Sequence, residues 1–94
     1  MTETPRADAI RAQLDAAFSP QILELVDESQ AHASHAPMRG KEAYETHFRL
    51  YMVAAAFEGV SRLERQRLVS NVLREEMERG LHALAMRLRA PSEL

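Results

Sequence analysis

Between Ile10 and Phe18 the apolar side chains fall at Ile10, Leu14, Ala17 and Phe18, a spacing that lines one face of a helix. Pro5 suits the first helical position, where its missing N–H does no harm, and Thr4 ahead of it suits the N-cap. The helix should stop near Ser19-Pro20, because the residue before a proline is pushed out of the helical region. The run QILELVDES at 21–29 is branched and apolar at its start, acidic at its end, and short between its flanking signals. It reads as a strand. In THFRLYMVA at 46–54, Phe48, Leu50 and Met52 alternate with His47, Arg49 and Tyr51, which predicts a second strand with one buried face.

Phe57-Glu58-Gly59 predicts a turn, and Ser61 with Glu64 three residues on forms the capping box of a helix over 61–79. Leu68, Val69, Val72, Leu73 and Met77 make its apolar stripe, and Gly80 fits the left-handed position just past its end. LHALAMRLR at 81–89 then alternates His82, Leu84, Met86 and Leu88 against Ala83, Ala85, Arg87 and Arg89, a third strand, after which Pro91 ends the ordered chain. The order is α-β-β-α-β. The first two strands can pair antiparallel, whereas a strand-helix-strand crossover returns the third strand parallel to its neighbour. An α+β fold follows, with a three-stranded mixed sheet and both helices on one face.

Between the first two strands, residues 30–45 (QAHASHAPMRGKEAYE) keep no period and contain Pro37 and Gly40. Such a connection is long where hairpin loops usually take about 2–5 residues, and long loops in compact domains tend to carry function. It holds His32 and His35, three residues apart.

Composition narrows the classes. Ninety-four residues leave no length for a second core, so one domain over 1–94 is expected, with 1–4 and 91–94 as free ends. Forty-six per cent apolar and 28% charged residues, with three Gly and four Pro, argue against a disordered or fibrous chain. A net charge of −2 and a pI near 6.1 give no bulk basic field, so nucleic-acid binding would rest on a local patch. No apolar run approaches the roughly 20 residues that span a bilayer, and MTETPRADAI lacks the features of a signal peptide. A cytoplasmic protein that makes no membrane contact is expected. The absence of cysteine removes disulfides, thiol catalysis and any thiolate ligand from this chain. A bound soft metal or iron–sulfur cluster would need its sulfur from a partner.

Histidines and arginines supply the candidate chemistry. His82 opens the third strand on its apolar face; its ordinary role is a half-buried imidazole bonded to a carbonyl, its functional one a metal ligand. His32 and His35 could ligate together, or either could meet His82 across the fold, although a closed zinc site wants four ligands. Arg62, Arg65 and Arg67 crowd the first turns of the second helix, against the macrodipole. They read as a solvated basic face or, with Lys41, as phosphate contacts. No Gly-rich phosphate loop or Ser-His-Asp set is present, and Asp27 and Glu28 would point to opposite faces of a strand. Nothing here reads as an enzyme.

VDES at 26–29, ETHFRLYMV at 45–53 and FEGVSRLERQRLVSNVLREEMERGLHALAMRLRAP at 57–91 together resemble the BolA family of small α/β proteins, from Ile10 onward. The most specific parts are the DES, THF, F-x-G, R-x-R-L-V and HAL elements in this order. The resemblance implies a class II KH-like fold, in agreement with the element order read above. It also implies a monothiol glutaredoxin partner, in a heterodimer that shares a [2Fe-2S] cluster. The glutaredoxin would bring its active-site cysteine and the thiol of glutathione. This chain, a monomer when alone, would bring His82 of HAL and a histidine from the first interstrand loop. His32, three residues past Ser29, matches the family position, His35 is a second choice, and His47 of THF is a third, with a structural role at the strand start favoured for it. Gln66 stands where many members carry a histidine, which puts any role of that histidine in doubt. The GxxG loop of nucleic-acid-binding KH domains is absent. The leading expectation is an adaptor in iron–sulfur trafficking or iron regulation. The alternative is a DNA-binding regulator using the helix at 61–79.

Overall fold

A computed structural model gives the fold and describes residues 5–28 and 47–94. The elements are α1 (Pro5–Phe18), β1 (Ile22–Asp27), β2 (His47–Val53), a short 3-10 turn (Ala55–Phe57), α2 (Arg62–Val72), α3 (Arg74–Arg79), β3 (Ala83–Arg89) and a second 3-10 turn (Pro91–Glu93). Thr4, expected as the N-cap of α1, and the connection expected at 30–45 lie outside the described residues.

The sheet order is β1-β2-β3, with β1 antiparallel and β3 parallel to the central strand. This is the mixed sheet expected from the element order. Register places Leu25, Leu50 and Met86 in one row, and Leu23, Met52 and Leu88 in the next. Because side chains alternate across a strand, these rows and the Phe48–Leu84 pair share one face. Ile10 and Leu14 of α1 and Val69 and Leu73 beside them pack on that face, all fully buried. Removing this apolar area from water is the main stabilising term of the fold.

Helix boundaries follow local chemistry. Ser61 caps α2, its hydroxyl accepting the Glu64 N–H at 3.1 Å. Gly80 closes α3 at φ +135°, and the Leu81 N–H reaches back to the Glu76 carbonyl at 3.0 Å. At the end of α1, Ser19 takes the left-handed conformation (φ +47°) just before Pro20.

Four expectations are corrected. The helix expected over 61–79 is two helices, because Leu73 turns to φ −98°, ψ +17°, outside the helical well, while its side chain stays in the core. Glu76 of α3 is 3% exposed and faces Arg6 of α1 across 3.4 Å, a tertiary contact that fixes the direction of the second piece. Ala17, expected on the buried stripe of α1, is exposed; the helix buries Ala7, Ile10 and Leu14 instead. The end expected to be free is pinned: Glu93 binds Arg65, and Ser92 donates its backbone N–H (3.0 Å) and its hydroxyl (2.7 Å) to Glu58. Finally, β3 starts at Ala83, so His82 precedes the strand and is exposed rather than facing the core.

Candidate functional site

β3 has two chemically different ends. At its start, the parallel pairing sets His47, the first residue of β2, opposite Ala83 and therefore beside His82. The two imidazoles lie with ring centroids 6.2 Å apart and planes inclined at 58°. His47 is half-buried and His82 exposed. The Glu28 N–H donates to the His47 carbonyl at 2.7 Å, and the Glu28 carboxylate is ion-paired with Arg49. This end of the sheet therefore presents one exposed imidazole, that of His82.

His32 and His35 lie outside the described residues. Among the described residues no group of three His, Asp or Glu side chains could hold a metal ion. The donor set is imidazole without thiolate, since the chain has no cysteine. An exposed His82 fits one position on a metal centre whose other ligands come from elsewhere.

Six residues further along β3, about 20 Å at strand rise, the chemistry is different. Arg65 is 7% exposed and spends every arm of its guanidinium internally. Its Nε donates to the Val60 carbonyl at 2.8 Å and Nη1 to the Leu88 carbonyl at 3.0 Å, while Nη1 and Nη2 grip the two Glu93 oxygens at 2.7 Å each. The guanidinium carbon also sits 5.8 Å from the centroid of the Phe57 ring. The two-point bond to Arg65, helped by the Ala90 N–H, holds the Glu93 carboxyl down at about 2. The same bond pushes the Arg65 pKa up.

The expectation that Arg65 belongs to a basic surface is thus corrected: it is an interior tie between α2, β3 and the C-terminal turn. Helical spacing carried the signal, because Arg65, Val69 and Leu73 fall four residues apart on the buried face. Arg62 and Arg67 are exposed, with Arg67 3.7 Å from Glu64, and Lys41 lies outside the described residues. A groove of about 650 Å³ runs between the start of α2 and β3, with Arg62, Gln66 and Arg87 on its walls and Glu93 at its end. It contains no histidine and is separate from the His47–His82 end.

The juxtaposition of His47 with His82 was the feature that the residue pattern did not bring out. His47 opens β2 and His82 immediately precedes β3, and parallel pairing of β2 with β3 sets the two strand starts side by side. None of the described helices is long and apolar enough to cross a membrane.

Comparison with known proteins agrees with this architecture. The family model described as BolA-like protein matches residues 14–93. BolA-like protein 1 of Mus musculus is 45% identical over 89 residues, covering 95% of this chain and 61% of its own length. Protein BOLA1, chloroplastic, of Arabidopsis thaliana is 43% identical over 94% of this chain, and the chain spans only 55% of that protein's length. The solved structure of BolA1 from Arabidopsis thaliana superposes with a TM-score of 0.87 at 41% identity, covering 99% of both chains. The BolA domain of SufE1 from the same plant gives 0.85 at 36% identity, with 99% of this chain and 100% of that domain covered. Shared pattern, shared sheet and a match over most of its length establish that the chain belongs to the BolA-like family.

Proposed function

We propose that the chain is an adaptor that binds a monothiol glutaredoxin and shares a [2Fe-2S] cluster with it. His82 supplies one ligand from this side, and a histidine of the first interstrand loop, His32 ahead of His35, supplies a second. The observation that carries the reading is the solvent-facing imidazole of His82 at the open end of the sheet, in a chain without cysteine. Among the described residues no group of three His, Asp or Glu side chains forms at His82, so a cluster ligated there would take its remaining ligands from elsewhere. A role in iron–sulfur processes also fits the occurrence of a BolA domain within SufE-like protein 1 of Arabidopsis thaliana, whose own length this chain covers to 24%.

The chemistry suits an adaptor. When a cluster is shared in this way, replacing thiolate by neutral imidazole on one iron leaves that side less negative and raises the reduction potential. This chain's residues hold, orient and release; they carry no reaction of their own. His82 is presented immediately ahead of β3, whose backbone is laddered to β2. The interior Arg65–Glu93 tie fixes the other end of the same strand.

Anaerobic mixing of the protein with cluster-loaded monothiol glutaredoxin tests the proposal. The visible absorption and circular dichroism of the cluster should change on mixing, and His82→Ala should abolish the change while leaving the far-ultraviolet spectrum intact. An unchanged cluster spectrum with the unmodified protein overturns it.

A further inference from the structure

We infer that His47 and His82 form a two-histidine chelate for a borderline divalent cation, zinc(II) above all, and that zinc bound there competes with the cluster for His82. The zinc site stands on the geometry alone; the competition rests on the reading given under Proposed function.

Imidazole nitrogen binds zinc at about 2.0–2.1 Å, and a ring nitrogen lies roughly 1.1 Å from its ring centroid, so two rings on one tetrahedral zinc have centroids roughly 5.2 Å apart. The observed 6.2 Å is about 1 Å longer than that, a gap that a turn of the exposed His82 about its inner torsion closes, after which its outer torsion aims a nitrogen at the shared ion. The backbone spacing needs no adjustment, because β2 and β3 are hydrogen-bonded neighbours there and His47 stands in register with Ala83. Each imidazole has two nitrogens, so a histidine can ligate through one and keep a hydrogen bond through the other, the arrangement that usually orients metal-bound histidines.

The partial burial of His47 and the exposure of His82 give the pair a fixed member and an accessible one. Glu28, whose N–H bonds the His47 carbonyl, has its carboxylate engaged by Arg49, so among the described residues no acid is offered to the ion and water would complete the coordination. An open site of neutral nitrogen and water suits zinc, which has no geometric preference of its own, better than magnesium or calcium, which favour carboxylate and carbonyl oxygen. Such a site binds its ion reversibly. Because one ring cannot ligate zinc and iron through the same nitrogen, zinc occupancy withdraws His82 from cluster sharing.

Titration of the isolated full chain with zinc chloride, followed by calorimetry and by the nitrogen resonances of labelled histidine, tests the site. The expected result is saturable binding of one zinc per chain that shifts His47 and His82 together. His47→Ala and His47→Gln should each weaken it about tenfold or more, and His82→Ala likewise, since losing a ligand costs at least as much as losing one of its supporting bonds. The double variant His32→Ala, His35→Ala should bind as the unmodified protein does. No saturable binding overturns the site, as does loss of binding in the double loop variant with retention in the His47 variants. His47→Gln, which keeps a polar side chain, covers a folding failure of His47→Ala.

For the competition, added zinc should suppress the spectral change with cluster-loaded glutaredoxin for the unmodified protein and leave it intact for His47→Gln. Zinc binding without suppression overturns the competition and leaves the zinc site standing. Because the zinc titration contains neither glutaredoxin nor cluster, its outcome is independent of whether the adaptor reading holds.

Discussion

The Arg65 guanidinium and the Glu93 carboxylate meet in a two-point fork, Nη1 to Oε1 and Nη2 to Oε2, both at 2.7 Å across 28 residues of sequence. One arm of the same arginine also holds the Leu88 carbonyl, so a single side chain ties the helix after the capping serine to β3 and to the C-terminal turn. The fork makes the carboxyl harder to protonate in the folded protein than in the unfolded chain.

Acid sensitivity follows from that difference. The Glu93 carboxyl is held down to about 2, against an ordinary value of 4.5. A depressed carboxylate contributes stability that is complete above the ordinary range and is lost as pH falls from about 4.5 toward about 2. Denaturation midpoints measured across that window should fall for the unmodified protein and change less steeply for Glu93→Gln, which starts lower. Equal slopes for the two proteins would show that the fork is not coupled to folding.

Glu76 is the second interior charge. It is 3% exposed, with Arg6 at 3.4 Å and Arg79 at 2.9 Å. Glu76→Ala takes away the carboxylate that Arg6 faces in the α1–α3 contact and should cost about 3 kcal/mol in equilibrium unfolding. Arg79→Ala removes a largely exposed partner and should cost about 1 kcal/mol or less. The reverse order would refute the assignment of Glu76 to the interior.

Two glycines hold backbone conformations that L side chains rarely adopt, and they differ in degree. At Gly59, φ is +72° and an added Cβ would meet nothing within 4 Å, so Gly59→Ala should cost about 1 kcal/mol. At Gly80, φ is +135° and the Cβ would come within 3.0 Å of Arg6 Nη2, so Gly80→Ala should cost about 3 kcal/mol. Urea denaturation of both variants checks the ranking.

What the sequence made legible depended on which physics each residue obeys. Phe48, Leu50 and Met52 alternate and are buried, and Ser61 caps the helix it precedes, because both features depend on neighbours a few residues away. The break at Leu73 was not legible, since no Gly or Pro marks it; it accompanies a contact between Glu76 and Arg6, 70 residues apart. Arg65 misled for the same reason. A charged residue near a helix start reads as surface until its partner at position 93 is brought to it by the return of β3. The candidate site divides likewise: the HAL element pointed to His82, but its neighbour His47 emerges only from the parallel register of β2 and β3.

The central claim is that a nitrogen of His82 binds iron in a cluster shared with glutaredoxin. Pulsed electron paramagnetic resonance of the reduced complex, with isotopically labelled histidine in this chain alone, tests it most directly. A hyperfine coupling from the labelled nitrogen should be present with the unmodified protein, remain in His47→Gln, and lose the His82 contribution in His82→Ala, a change at an exposed position that leaves the core intact. A coupling pattern identical in His82→Ala, or no coupling from this chain's histidines at all, would contradict the account.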